Sequence, residues 1–239
     1  MIRVTNTPKL AGLKISGDPH DLEELYDALH SILPDEREDP SFEGSRMRVL
    51  GFCYEIRHAM QGNRGIEFVD NHMTQEKIKF HEIISNDQNV HYSFAMYYPE
   101  MLYITALLNV FIERFSRSRT GFPSNKHTLL IQYLHACVKD CLQEVLSPQK
   151  FRNAAQELTG PHYRFSNFRT QYVDLLNLRY LAWDPEKRQQ NLSIMAKRLT
   201  ERGKEYQQLE EEVYEAAAQN QCHPDDIRLK EDYPENIDW

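Results

Sequence analysis

The apolar period of this 239-residue chain changes once, at SRSRTGFPSN, residues 116–125. Before that point, short alternating runs mix with amphipathic helical runs. After it, every long segment repeats at the 3.6-residue spacing of a helix. A period of two buries one face of a sheet, and a period of 3.6 buries one stripe of a helix. The Ser, Gly, Pro and Asn of the break suit a linker. The pattern predicts an α+β fold: a small, mostly antiparallel sheet with helices over residues 1–116. An all-helical region over 126–220 and an acidic tail over 221–239 complete it.

In the first half, residues 2–5 and 13–16 read as short strands around the turn-rich NTPKLAG. Asp18 then suits an N-cap, Pro19 a first helical position, and Leu22, Leu25, Leu29 and Ile32 form one apolar face. Over residues 45–61, Val49, Phe52, Cys53, Ile56 and Met60 share a stripe. Met47, Gly51, Tyr54 and His58 lie roughly opposite without reading as a solvated face. That predicts a helix covered on two sides, with Gly51 admitting a close neighbour and His58 partly buried. Gly62 suits the helix end, and residues 66–69 a strand. TQEKIKFHEIIS fits either helix or strand. VHYSFAMYY alternates Val90, Tyr92, Phe94 and Met96, and PEMLYITALLNVFIERF is apolar almost all round, as a central helix would be.

In the second half, Leu130, Leu134, Cys137, Cys141 and Val145 share a helical face, and Phe165, Phe168, Tyr172, Leu175, Leu176 and Trp183 recur near helical spacing. Residues 185–220 read as a single helix. Its stripe of Leu192, Met195, Leu199, Arg202, Tyr206, Leu209, Val213 and Ala216 alternates steps of three and four. Such a helix would be roughly 54 Å long at 1.5 Å per residue. The helix near Leu130 to Val145 could cover about half of that stripe, which predicts a homodimer through helix 185–220, with one helix of a monomeric bundle as the alternative.

Hydrophobic residues make up 41% and charged residues 27%, which excludes a disordered class. No apolar run approaches the roughly 20 residues of a membrane helix, and no apolar run follows the first basic residues as in a secretory signal. The four cysteines, at 53, 137, 141 and 222, form no C-x-x-C pair, so a reducing cytoplasm is the expected setting. Formal charge is −7 over residues 1–100, +7 over 101–200 and −8 over 201–239. A basic middle between acidic ends either binds an outside anion or is neutralised by the chain itself, on folding or self-association.

Three groupings bear on chemistry. In CYEIRHAMQGNRGIEFVDN, Tyr54 and His58 stand at i, i+4 on one helix face, and Glu67 or Asp70 could orient the imidazole. That is an acid–base arrangement, and a histidine satisfied within the fold explains it as well. RFSRSR offers Arg114, Arg117 and Arg119, and HYRFSNFR offers Arg164 and Arg169 among aromatics, as an anion or single strand would require. The same aromatics also make a core face, and nucleic acid is not the expected partner. Cys137 and Cys141 share an apolar face, and the acids of His20, Asp21 and Glu24 serve capping, so no metal site is expected. P-loop, G-x-G-x-x-G, G-x-S-x-G and H-E-x-x-H signatures are absent and no cofactor is expected.

The runs GLKISGDPHDLEELYDALHSIL, RMRVLGFCYEIRHAMQGNRGIEFVDN and NVHYSFAMYYPEMLYITALLNVFI resemble an uncharacterised bacterial family classed as a domain of unknown function. The resemblance covers residues 1–116. It implies a bacterial cytoplasmic protein and carries no activity, cofactor or catalytic residue. The helical half rests on periodicity. The leading expectation is a non-catalytic cytoplasmic binding or assembly protein, its small-molecule ligand left open. The alternatives are a small enzyme using Tyr54 and His58, or an anion or nucleic-acid binder using the basic middle.

Overall fold

The computed structural model describes every residue except 36–38, 82–85, 119–124 and 161–164. The fold is α+β, with an antiparallel sheet from the first hundred residues and a helical C-terminal region. Strands β1 (Arg3–Asn6) and β2 (Gly12–Gly17) form a hairpin with Val4 opposite Ile15. Strand β4 (Gln88–Tyr97) pairs with both β2 and β3 (Gly65–Asp70), giving the order β1-β2-β4-β3. β2 and β4 approach so closely that a Cβ on Gly12 would lie 1.9 Å from the Met96 carbonyl oxygen. Only glycine fits there.

Helix α1 (Pro19–Ile32) starts as its sequence requires. Asp21 N donates to Asp18 Oδ1 (2.8 Å), and Asp21 Oδ2 accepts from the Asp18 amide (3.3 Å), a reciprocal cap. Its leucines and Ile32 are buried. Helix α2 (Glu43–Met60) packs Val49, Phe52, Cys53 and Ile56 inward, leaving Met60 partly exposed, and ends at Gly62 with φ +77°. Helix α3 (Gln75–His81) buries none of its residues. Helix α4 (Tyr98–Ser118) is central: Met101, Leu102, Ile104, Leu107, Leu108 and Phe111 are fully buried between the sheet and the later helices. Each such side chain contributes about 1.5–3 kcal/mol over leaving it in water.

The helical region comprises α5 (Lys126–Val145), α6 (Pro148–Leu158), α7 (Gln171–Leu181), α8 (Pro185–Thr200) and α9 (Lys204–Asn220). α5 packs on α1 and β1, while α6, α7 and α8 pack on α4. One apolar core therefore runs from Ile2 to Val213, across the composition break at 116–125. Among the described residues, no helix is long and apolar enough to cross a membrane.

Four local expectations need correction. The helix expected over 185–220 is two helices. Thr200 ties the end of α8 to Glu157 on α6 (2.6 Å), Glu201 turns extended, and Gly203, a poor helix former, starts α9. The redirected chain buries Leu192, Met195, Leu199, Tyr206, Leu209 and Val213 within one protomer. Most of this stripe is thus covered without a second chain. Helix α2 is covered on one side only: Met47 is 54% and Tyr54 48% exposed. Among the described residues, nothing lies within 4 Å of where a Cβ on Gly51 would sit. On α5 the buried face is rotated to Ile131, Leu134, His135, Val138, Cys141 and Leu142, because α1 and β1 flank one side and α4 and α6 another. Phe165 and Phe168 are buried from a 3-10 turn and the irregular residues after it, ahead of α7, packed on Tyr103 from α4.

Candidate functional site

The groupings legible in the sequence come apart in different ways. Tyr54 and His58 do meet, with ring centroids 4.1 Å apart, and Arg57 lies over the Tyr54 ring. His58 Nδ1 stands 3.4 Å from Asn63 Nδ2, and the ring is partly buried. Glu67 instead pairs with Lys14 across the sheet (3.0 Å). Burial alone would raise its carboxyl, but hydrogen bonds from Ser93 and Lys14 hold it below the usual range. Asp70 accepts from the His72 amide (2.7 Å) at the surface. Among the described residues, neither carboxylate bonds to His58.

The arginines are engaged by the chain's own acids. Arg114 pairs with Asp39 and lies over Phe42, Arg117 pairs with Glu113, and Arg169, 5% exposed, pairs with Asp225 of the tail at 2.9 Å. Arg119 and Arg164 lie outside the described residues. Among the described residues no group of three or more His, Cys, Asp or Glu is placed to hold a metal ion. The thiols of Cys53 and Cys141 are pushed up to about 12 by burial, far from the thiolate that ligation or attack would need.

A different constellation stands at the floor of a cleft between α2, the end of β4, α7 and the C-terminal tail. Two adjoining cavities of about 810 and 800 Å³ share Met47, Arg48, Asp174 and Tyr233. Arg48 Nη1 donates to Glu100 Oε2 (3.0 Å), and Nη2 donates to the Thr170 carbonyl (2.9 Å) and to Asp174. Tyr233 donates to Asp174 Oδ1 (2.8 Å). Asn177 Nδ2 donates to Glu100 Oε2 (2.9 Å) and to the Tyr233 hydroxyl (3.1 Å).

Local structure explains each position. Glu100 sits in the first turn of α4, where the helix favours negative charge. Asp174 and Asn177 are three apart on α7 and so share a face. Arg48 is one turn before the buried Phe52. Burial disfavours the Arg48 charge, but Glu100 and Asp174 outweigh it and drive the guanidinium further above its usual range. Burial, reinforced by Asp174, pushes the Tyr233 phenol up, so it stays a donor at neutral pH.

The tail forms the far wall. Gln171 Nε2 donates to the carbonyls of Pro224 (2.7 Å) and Ile227 (2.8 Å), and Arg188 Nη1 to that of Asp238 (3.1 Å). Tyr97 stacks with Tyr233 and with Trp239, at 5.3 and 5.5 Å and 10° in each case. At the rim, Arg64 grips both oxygens of Glu55, at 2.7 and 3.0 Å. The wall between these charges is apolar: Phe52, Phe94, Met96 and Tyr97.

Gly51 opens onto the cavity. A glycine inside a helix costs about 1 kcal/mol against alanine. Here neither a positive φ nor a close neighbour requires it. What it leaves is space. Sequence reasoning missed this site although one signal was present. Glu100 is the only charged residue from Tyr98 to Ile112 in the most apolar helix, and a carboxylate there needs a partner.

No curated protein and no solved structure matches the chain. A family model does, over residues 2–239, and its span takes in the helical half that lay beyond the resemblance read from residues 1–116. The chain therefore belongs along its length to the family described as Domain of unknown function (DUF6904).

Proposed function

We propose that this is a non-catalytic binding protein whose ligand occupies the cleft between α2, β4, α7 and the tail. The observation that carries the reading is Gly51, which stands in mid-helix at the cavity wall with nothing among the described residues within 4 Å of where its Cβ would be. The cleft's charges support binding over proton transfer. Arg48, Glu100 and Asp174 satisfy one another, and Tyr97 and Tyr233 are both held above the ordinary phenol range. A general acid or base works best with a pKa near the working pH, which these two phenols and the Arg48 guanidinium do not offer. The four cysteines are unpaired, which supports a reducing, cytoplasmic setting. A ligand-observed NMR screen of small aromatic fragments tests the reading on the parent chain and on Gly51→Phe. Binding to the parent and its loss in a folded Gly51→Phe are the expected results; equal binding by both refutes the cleft.

Assembly has separate support. Ile66, Phe68 (68% exposed) and Val90 share one face of the β3–β4 pair, and β3 is an edge strand. An edge of this kind can pair with its own copy about a two-fold axis. In this reading a homodimer forms through β3, while the stripe of residues 185–220 is taken up inside the chain. Light scattering on the parent and on Phe68→Ser decides: a monomeric parent removes the dimer.

A further inference from the structure

The walls of the cleft specify the charge of its occupant. Around the cavity nearer Gly51 stand Glu55, Glu100 and Asp174, opposed by Arg48 and Arg64, so carboxylates exceed guanidiniums. The adjoining cavity adds Glu43 and Asp225, paired with Arg46 and Arg169, and then Asp226, Glu231 and Asp232 against Arg228 and His223. The arginine donors are turned to protein oxygens: Arg48 to Glu100, Asp174 and the Thr170 carbonyl, Arg64 to Glu55 and the Asn63 carbonyl. An incoming anion would have to displace a carboxylate from Arg48 or Arg64.

Two amide oxygens of residues that line the cavities are buried with no donor among the described residues. Asn177 is 1% exposed and lines the same cavity. Its Nδ2 is spent on Glu100 and Tyr233, which fixes the orientation of the amide. Its Oδ1 has no protein donor among the described residues. Gln171 repeats the arrangement beside the other cavity, its Nε2 spent on two tail carbonyls and its Oε1 without a donor among the described residues. The stacked rings of Tyr97, Tyr233 and Trp239 add π-faces that attract positive charge. The remaining wall of Phe52, Phe94 and Met96 accepts an apolar body.

We infer that the cleft takes an organic cation: an ammonium group carried on an apolar or aromatic body. The inference rests on the reading of the cleft as a ligand site and names the chemical class. The ammonium sits between the rings and the carboxylates, and the body lies along the apolar wall below Gly51.

Three probes that share a phenyl–ethyl body test it by calorimetry: phenethylammonium, 2-phenylethanol and 3-phenylpropionate. The ammonium should bind at least about tenfold tighter than either of the others, the factor expected of one partly desolvated cation contact. Raising the salt concentration should weaken the ammonium and leave the alcohol unchanged. In Glu55→Gln, at the rim and outside the Arg48 network, the advantage of the ammonium should shrink about fivefold. Equal or tighter binding of the propionate overturns the inference while leaving the cleft as a binding site. If none of the three registers at about 10 mM in the parent, the inference fails as well. The cleft reading itself falls only if Gly51→Phe leaves fragment binding untouched.

Discussion

Two flanks of α2 present charged and aromatic side chains, and they behave oppositely. Tyr54 and His58 stand one turn apart on the exposed flank, ring against ring, with Asn63 as the nearest polar neighbour of the imidazole. Arg48, on the flank facing α4 and α7, reaches Glu100 and Asp174, which lie 52 and 126 residues away in sequence. The first pair is local, with Tyr54 exposed and His58 partly buried. The second network is long-range and desolvated, and it holds the tail through Tyr233. Helical spacing detects neighbours along one element and says nothing of partners brought by others. Energy follows the second kind, because a buried charge left without its partner is far more costly than an exposed one.

The sharpest break of the comparison is Arg48→Met. It leaves Glu100 and Asp174 facing each other without a cation, and about 3–5 kcal/mol of stability should be lost. Urea unfolding measures it; a loss below about 1 kcal/mol would place Arg48 in the same class as the exposed flank.

The next largest effect compares two histidines. Burial, with Lys139 nearby, lowers His135 to about 4 from the ordinary 6.5, so the folded chain resists its protonation and the unfolded chain does not. Stability is then complete above 6.5, falls as pH drops towards 4, and levels off below that, by about 3 kcal/mol in all. His135→Leu should remove that slope from a pH series of unfolding midpoints. His58→Ala should leave it in place.

Gly51→Phe should keep stability within about 1 kcal/mol of the parent, since it trades a poor helix former for a better one at an open position. A larger loss, read from the thermal midpoint, would mean that packing and not the cavity requires the glycine. The smallest effect belongs to His58→Ala: less than about 1 kcal/mol, with fragment binding unchanged. A larger cost there would show that the exposed flank carries more than its contacts indicate.

What was legible in the sequence was local. The Asp18 cap, the leucine face of α1, the stripe of α2 and the end at Gly62 follow from spacing and from single residue types, and the structure has them. The apolar helix after Pro99 was legible because an all-round apolar surface has only one place to go. Gly51 was read with the wrong sign, as room for a neighbour, because spacing cannot distinguish a glycine that admits an element from one that leaves a hollow. The face of α5 was misplaced by about a sixth of a turn, with Leu134 and Cys141 common to both, because neighbours flank it on more than one side. The turn at Glu201–Gly203 was missed because a 3-4 alternation can continue across a break when both helices bury the same stripe inward. The site itself was the least legible, since Arg48, Glu100, Asp174 and Tyr233 come from four separate segments.

Amide spectra of the parent chain, recorded with and without phenethylammonium, test the central claim most directly, because they place the bound molecule either at Arg48 and Gly51 or about two turns further along α2 at His58. Shifts at Gly51, Gly65, Tyr97 and the Trp239 indole, with His58 and Asn63 unmoved, are the predicted result. Shifts confined to Tyr54, His58 and Asn63 would contradict it.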